Sequence, residues 1–145
     1  MAQLDALYLT LNLPGATIKS VTYGTPRVGN PEYAAFFDKT VGDYTRINNR
    51  EDLVPIIPGR FLGFAHPKGE VHIISDGHAV ACSGSDNAVD AQCQIQTVPN
   101  IFEGNIIDHV SLHDTTLGIR LVADMLHLSA RSLRRPLHGN YLLLK

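Results

Sequence analysis

The chain has 145 residues, 44% hydrophobic and 18% charged, with a formal net charge of −2. This length and composition are typical of one globular domain, or part of one, and exclude a disordered segment. The small negative charge gives no reason to expect nucleic acid or an anionic membrane as a partner. No stretch approaches the roughly 20 apolar residues of a transmembrane helix.

The N-terminal residues predict an amphipathic helix rather than a signal peptide. Leucine and tyrosine side chains recur at helical spacing over residues 2–12, and Pro14 and Gly15 end the pattern. A basic n-region is missing and Asp5 interrupts the apolar run, so a signal peptide is not predicted. Without a capping residue at its start, the helix is either frayed there or the second half of a longer one.

Strands and helices then alternate. Residues 17–23 are rich in β-branched side chains and predict a strand. Asn30 as N-cap followed by Pro31 predicts a helix over 31–40, and a second strand pattern covers 44–48. This order is typical of a parallel, doubly wound sheet.

The second half of the chain is less regular. Residues 70–75 predict a third strand, whereas 76–105 are expected to be mostly loop. Leucine spacing predicts a helix over 117–128 that serves packing, with a role at a membrane surface as the alternative. The tail 131–145 matches neither a helical nor a strand period, and is interpreted as a loose end or an artefact of gene prediction.

Cys82 and Cys93 bracket a polar ten-residue loop. Two interpretations are open: buried thiols in a cytosolic protein, or a disulfide in a secreted one. The polarity of the loop favours the disulfide, because such a loop has little core of its own. No second pair lies nearby, so these cysteines do not predict a metal site.

Two residues are candidates for proton chemistry. Asp52 ends the turn after strand 44–48, at the sheet edge where α/β proteins place their sites; alternatively it is a turn aspartate that binds its own backbone. His109 lies at a loop-to-helix transition and could shuttle protons, or have no special role. His109 and His113 are spaced for zinc, but the glutamate of a zinc-protease motif is missing, so no metal or cofactor is predicted.

A nucleophile is not evident, since no serine of the chain lies in Gly-x-Ser-x-Gly. Four ordered segments nevertheless resemble the class 3 lipases, the fungal triacylglycerol lipase family, over roughly residues 2–118. These segments are Lys-Ser-Val-Thr-Tyr-Gly-Thr-Pro-Arg-Val-Gly-Asn at 19–30, Arg-Glu-Asp-Leu-Val-Pro-Ile-Ile-Pro at 50–58 with Phe-Ala-His-Pro-Lys-Gly-Glu-Val at 64–71, the cysteine-bounded loop, and Asp-His-Val-Ser at 108–111.

The resemblance implies a partial α/β-hydrolase fold: residues 1–118 would be the C-terminal part of a mostly parallel sheet with flanking helices, and 119–145 are of uncertain status. Asp52 and His109 would be the acid and the histidine of a Ser-acid-His triad, within about 2.6–3.2 Å of each other. The cysteines would close the family's disulfide loop. The serine, the oxyanion-hole groups and the lid belong to an N-terminal half that the chain lacks.

The implied function is hydrolysis of acylglycerols or other esters by a secreted enzyme without a cofactor, with this chain inactive alone. The alternatives are a feruloyl-type esterase of the same fold, or a non-catalytic short product that binds lipid or a partner chain. Strand 17–23 is expected to be an exposed edge open to self-association, because its sheet neighbour would be missing.

Overall fold

A computed structural model describes residues 1–75, 78–111 and the backbone of 140–144. The elements are α1 (Ala2–Asn12), β1 (Ala16–Tyr23), α2 (Pro31–Thr40), β2 (Asp43–Asn49), β3 (Glu70–Ser75), β4 (His78–Cys82), α3 (Gln94–Thr97), α4 (Ile106–Val110) and β5 (Asn140–Leu144). Short 3-10 helices lie at Val54–Ile56 and Arg60–Leu62.

The strands form one five-stranded sheet in the order β4-β3-β2-β1-β5. All neighbouring strands are parallel except β3 and β4, which are antiparallel. Parallel strands bring their carboxyl ends to one edge of the sheet, so the loops after β1 and β2 lie side by side. The predicted mostly parallel sheet with flanking helices is confirmed.

The helices pack where their sequences allow close approach to the sheet. Ala6 of α1 and Phe37 of α2 are fully buried against Ile18. The predicted helix is confirmed, but its leucine and tyrosine stripe is only partly buried: Leu7 packs against this cluster, whereas Leu4 and Tyr8 are 44% and 64% exposed, respectively. The small side chain of Ala6 faces the sheet instead, which lets the helix lie close to β1.

The start of α2 follows its sequence signal. The backbone N–H of Tyr33 donates to Asn30 Oδ1 at 2.9 Å, and Pro31 occupies the first helical position. The cap satisfies one of the N–H groups that a helix start leaves without a partner. The predicted helix over 31–40 is therefore confirmed with its bounds.

Two strands were not predicted. β4 lies within the stretch expected to be loop, and β5 lies in the tail. β5 pairs in parallel with β1 from Ala16 to Ser20, so the expected exposed edge of strand 17–23 is wrong. The run Leu142–Leu144 has no alternation of apolar and polar residues, so its sequence pattern alone did not indicate a strand.

The predicted helix over 117–128 and His113 lie outside the described residues. Within the described part of the chain, no helix is long and apolar enough to cross a membrane.

Candidate active site

Asp52 is held by the turn that ends β2. Its backbone N–H donates to the carbonyl of Asn49 at 2.9 Å, and Arg50 adopts a left-handed backbone with φ of 47°. The N–H of Val54 donates to Asp52 Oδ1 at 2.8 Å. One carboxylate oxygen thus makes the local backbone bond of a turn aspartate, and the other is directed elsewhere.

That second oxygen meets His109. His109 Nδ1 lies 2.9 Å from Asp52 Oδ2, so the expected hydrogen-bond distance is confirmed. The Asp52 side chain is 1% exposed, whereas that of His109 is 34% exposed. With Nδ1–H donating to the carboxylate, neutral His109 carries its lone pair on Nε2, the atom that a general base needs.

Backbone contacts fix α4 beside the acid turn. The side-chain amide of Asn49 donates to the carbonyl of Asp108 at 2.8 Å, and the N–H of Asn105 donates to the carbonyl of Glu51 at 2.6 Å. Asn105 also caps α4, since its side-chain oxygen accepts from the N–H of Ile107. The histidine is therefore positioned by the same turn that carries its acid partner.

Gly24, directly after β1, has a role that was not predicted. A Cβ at this position would lie 2.5 Å from both Asp52 Oδ2 and His109 Nδ1, and the residue has φ of +50°. Its N–H donates to the carbonyl of Ile47, which holds the backbone close to the pair. Only glycine fits here without displacing the aspartate or the histidine. Its position at the tip of a strand is the sequence signal that could have identified it.

The two cysteines form a disulfide, so that prediction is confirmed. Glu70, Cys82 and Cys93 are the one group of potential metal ligands that the described residues bring together. The sulfurs are bonded to each other and Glu70 pairs with Arg46 at 2.7 Å, so this group does not suit a metal ion.

A buried ion pair that was not predicted lies beyond the acid segment. Arg27 Nη2 lies 2.8 Å from Asp86 Oδ1, with both side chains almost fully buried. Arg27 also donates through Nη1 to the carbonyls of Ile56 and Pro58. The pair ties the loop after β1 to the acid segment and to the disulfide loop.

His66 belongs to the same cluster. Its Nε2–H donates to the carbonyl of Pro55 at 2.7 Å, and its backbone N–H donates to Asp86 at 2.8 Å. Burial, followed by the charge of Arg46, lowers the pKa of His66 to about 3. Burial alone would raise the pKa of Asp86, but hydrogen bonds from Arg27 and from the His66 backbone hold it below its ordinary value.

An apolar cleft of about 640 Å³ opens beside the segment that follows the acid. Its walls include Ile56, Phe61, Leu62, Val98 and Ile101. Phe61, in the wall of this cleft, is 89% exposed.

The family model and the sequence relatives that match this chain are all lipases. The family model described as Lipase (class 3) matches residues 1–62, which include Asp52. A secreted mono- and diacylglycerol lipase of Malassezia globosa is 35% identical over 120 residues, covering 80% of this chain and 38% of that protein. A lipase of Rhizopus niveus is 31% identical over 119 residues, covering 81% of this chain and 29% of that protein. The chain thus spans well under half the length of these relatives.

Solved structures agree. Lipase II from Rhizopus niveus superposes with a TM-score of 0.64 at 30% identity, over 74% of this chain and 40% of that one. The native Rhizomucor miehei lipase in its propeptide complex gives a TM-score of 0.64 at 30% identity, over 74% of this chain and 34% of that one. By sequence and by fold, the chain belongs to the class 3 lipase family, with an α/β-hydrolase sheet.

Proposed function

We propose that Asp52 and His109 are the acid and the base of a serine ester hydrolase whose nucleophile is not among these 145 residues. The observation that carries the proposal is the 2.9 Å bond between a buried carboxylate and a partly exposed imidazole. In this pairing, Asp52 holds the imidazole in one tautomer and stabilises the imidazolium that forms during reaction.

The proposed chemistry follows from the positions of the His109 imidazole and the Asp52 carboxylate. His109 Nε2 takes the proton of a serine hydroxyl as the serine oxygen attacks the ester carbonyl, and later returns it to the leaving alcohol. The chain contains no Gly-x-Ser-x-Gly, so it supplies the acid and the base but no attacking group, and alone it has no hydrolytic activity.

Acylglycerols are the proposed substrate class. The cited Malassezia relative is named a mono- and diacylglycerol lipase, and the apolar cleft beside the acid segment has the chemistry to receive an acyl chain. An extracellular location is proposed on two grounds: several relatives are named secreted, and the chain forms a disulfide.

The test uses p-nitrophenyl butyrate with two proteins. The 145-residue chain alone is expected to give no turnover above buffer. A chimera, in which the part of the Malassezia globosa relative that precedes its matched stretch is joined in frame to Met1, is expected to hydrolyse the ester. An active-site-directed phosphonate blocks the serine that it labels, so a separate sample of the chimera is used to confirm that the serine is in place, and rates are measured on unlabelled protein.

Two results would contradict the proposal. One is turnover by the chain alone that disappears in D52N, because the chain would then hold its own nucleophile. The other is a folded chimera whose serine reacts with the phosphonate in a separate sample, but whose rate is unchanged in H109Q.

A further inference from the structure

We propose that Gln94 is a positioning residue for Asp52, held in place by the Cys82–Cys93 disulfide, and therefore that reduction of the disulfide loosens the Asp52–His109 pair. The inference rests on the proposed role of Asp52. In this proposal the disulfide helps to position Asp52, in addition to closing the loop between Cys82 and Cys93.

The contact between Gln94 and the acid is direct and buried. Gln94 Nε2 donates to the main-chain carbonyl of Asp52 at 2.8 Å, and Gln94 is 2% exposed. This bond holds the backbone of the residue whose carboxylate holds His109. Because a shift of the Asp52 backbone moves Oδ2 with it, the bond bears on the 2.9 Å contact with the imidazole.

Gln94 is itself anchored by the sheet. Its backbone N–H donates to Glu70 Oε1 at 2.8 Å, and Glu70 Oε2 accepts from Arg46 at 2.7 Å. All of these groups are buried, so each bond is made without competition from water. The side chain of Gln94 therefore starts from a backbone position that is fixed on β3.

Gln92, two positions before Gln94, is connected to the same turn through His72. His72 lies between two carbonyls: Nδ1 is 2.5 Å from that of Gln92, and Nε2 is 2.8 Å from that of Arg50. Gln92 and Gln94 thus flank Cys93 and both connect to the acid turn, one through His72 and the other directly.

The disulfide supplies the covalent part of this arrangement. Cys82, at the end of β4, is paired across the sheet with Glu70, and its bond to Cys93 fixes the residue that precedes Gln94. Opening the disulfide removes the covalent link between Cys93 and β4, and leaves α3, only four residues long, held by its hydrogen bonds and by the packing of Ile95. The Gln94–Asp52 bond then competes with the conformational freedom of a released loop.

The experiment measures the His109 Nδ1–H proton in the 145-residue chain by NMR. A proton held between imidazole and carboxylate resonates far downfield and exchanges slowly with water. Q94M removes the amide donor with little change in volume, and is expected to speed this exchange about tenfold, the factor that corresponds to one ordinary hydrogen bond. Reduction of the disulfide in the folded chain is expected to act in the same direction.

Q96M is the matched control. Gln96 lies in the same short helix, and its side-chain amide also donates to a main-chain carbonyl, that of Ala88, away from the acid. It is expected to leave the exchange rate of the His109 proton unchanged. If Q94M prevents folding, Q94N serves instead, because the shorter amide cannot reach the carbonyl of Asp52.

Equal effects of Q94M and Q96M would overturn the inference, since they would report only a loosened helix. An unchanged exchange rate in Q94M or after reduction would also overturn it. Because this readout needs no turnover, its failure is separate from that of the proposed function. A chimera that is inactive although the His109 proton is intact would count against the function alone.

Discussion

Two histidines of this chain each lie beside a different buried aspartate, and the two pairs differ in which atoms of the histidine make the contact. His109 binds Asp52 through its ring and remains one-third exposed. His66 is 2% exposed and meets Asp86 only through its backbone N–H, while Arg27 neutralises that carboxylate. The first arrangement suits proton transfer. The second keeps an imidazole neutral, because burial and nearby arginines lower the pKa of His66 to about 3.

In each pair, the chemistry open to the histidine depends on which group is the main partner of the carboxylate. An aspartate already paired with arginine has little need of an imidazolium beside it. An aspartate whose partner is the imidazole itself leaves that ring oriented by a single hydrogen bond, the arrangement on which the proposed role of His109 rests. The variants below remove one element of this difference at a time.

The largest effect is expected from H109Q in the chimera. The rate of p-nitrophenyl butyrate hydrolysis should fall by about 10³-fold or more, because the group that accepts the serine proton is lost. H66Q, which keeps a donor for the carbonyl of Pro55, should retain its rate per folded molecule. Equal losses in the two variants would remove the distinction between the two histidines.

The largest change in the free energy of unfolding is expected when the buried ion pair between Arg27 and Asp86 is broken. R27M leaves the carboxylate of Asp86 buried without its cation, and is expected to lower the free energy of unfolding of the chain by about 3–5 kcal/mol. Urea denaturation measures the loss. The double variant R27M/D86N should recover part of it, because the uncompensated charge is gone. A double variant less stable than R27M would show that charge burial is not the cause.

G24A tests the space around the acid and the histidine without removing either residue. The added Cβ would collide with both partners, and a displacement of this size is expected to lower the rate of the chimera by about 10²-fold. G15A is the control, since Gly15 also has a positive φ, of 91°, but a Cβ there meets nothing within 4 Å. Equal rates in G24A and G15A would contradict the steric explanation, because any loss of rate would then come from the strain of a positive φ and not from the collision with Asp52 and His109.

The smallest effect is a pH dependence of stability that originates in His66. Its pKa is about 3 in the folded chain, below the ordinary histidine value of 6.5. Between these values the unfolded chain takes up a proton that the folded chain does not, so stability falls with decreasing pH. The contribution is fully present above pH 6.5 and declines by about 1.4 kcal/mol per pH unit below it.

Urea midpoints between pH 7 and pH 5 measure this slope. H66Q should flatten it, whereas H78Q, which removes an exposed histidine, should leave it as it is. A slope that H66Q does not change would contradict the assignment to this histidine.

The sequence was sufficient where the signal is local. Hydrophobic periodicity and the Asn30-Pro31 cap predicted α1, α2 and the first three strands, and the resemblance brought Asp52 and His109 together. β4 and β5 have no clear alternation, so their pairing depends on the assembled sheet. The contacts of Arg27 with Asp86 join residues 59 apart in the chain, a pairing that no local pattern contains.

The catalytic roles of Asp52 and His109 stay a prediction until the acid is changed in a protein that contains the nucleophilic serine. The most direct test is the rate of p-nitrophenyl butyrate hydrolysis by the folded, unlabelled chimera, with and without D52N. A loss of about 10³–10⁴-fold is predicted, because the imidazole would lose the partner that fixes its tautomer. A rate that D52N leaves unchanged would contradict the account.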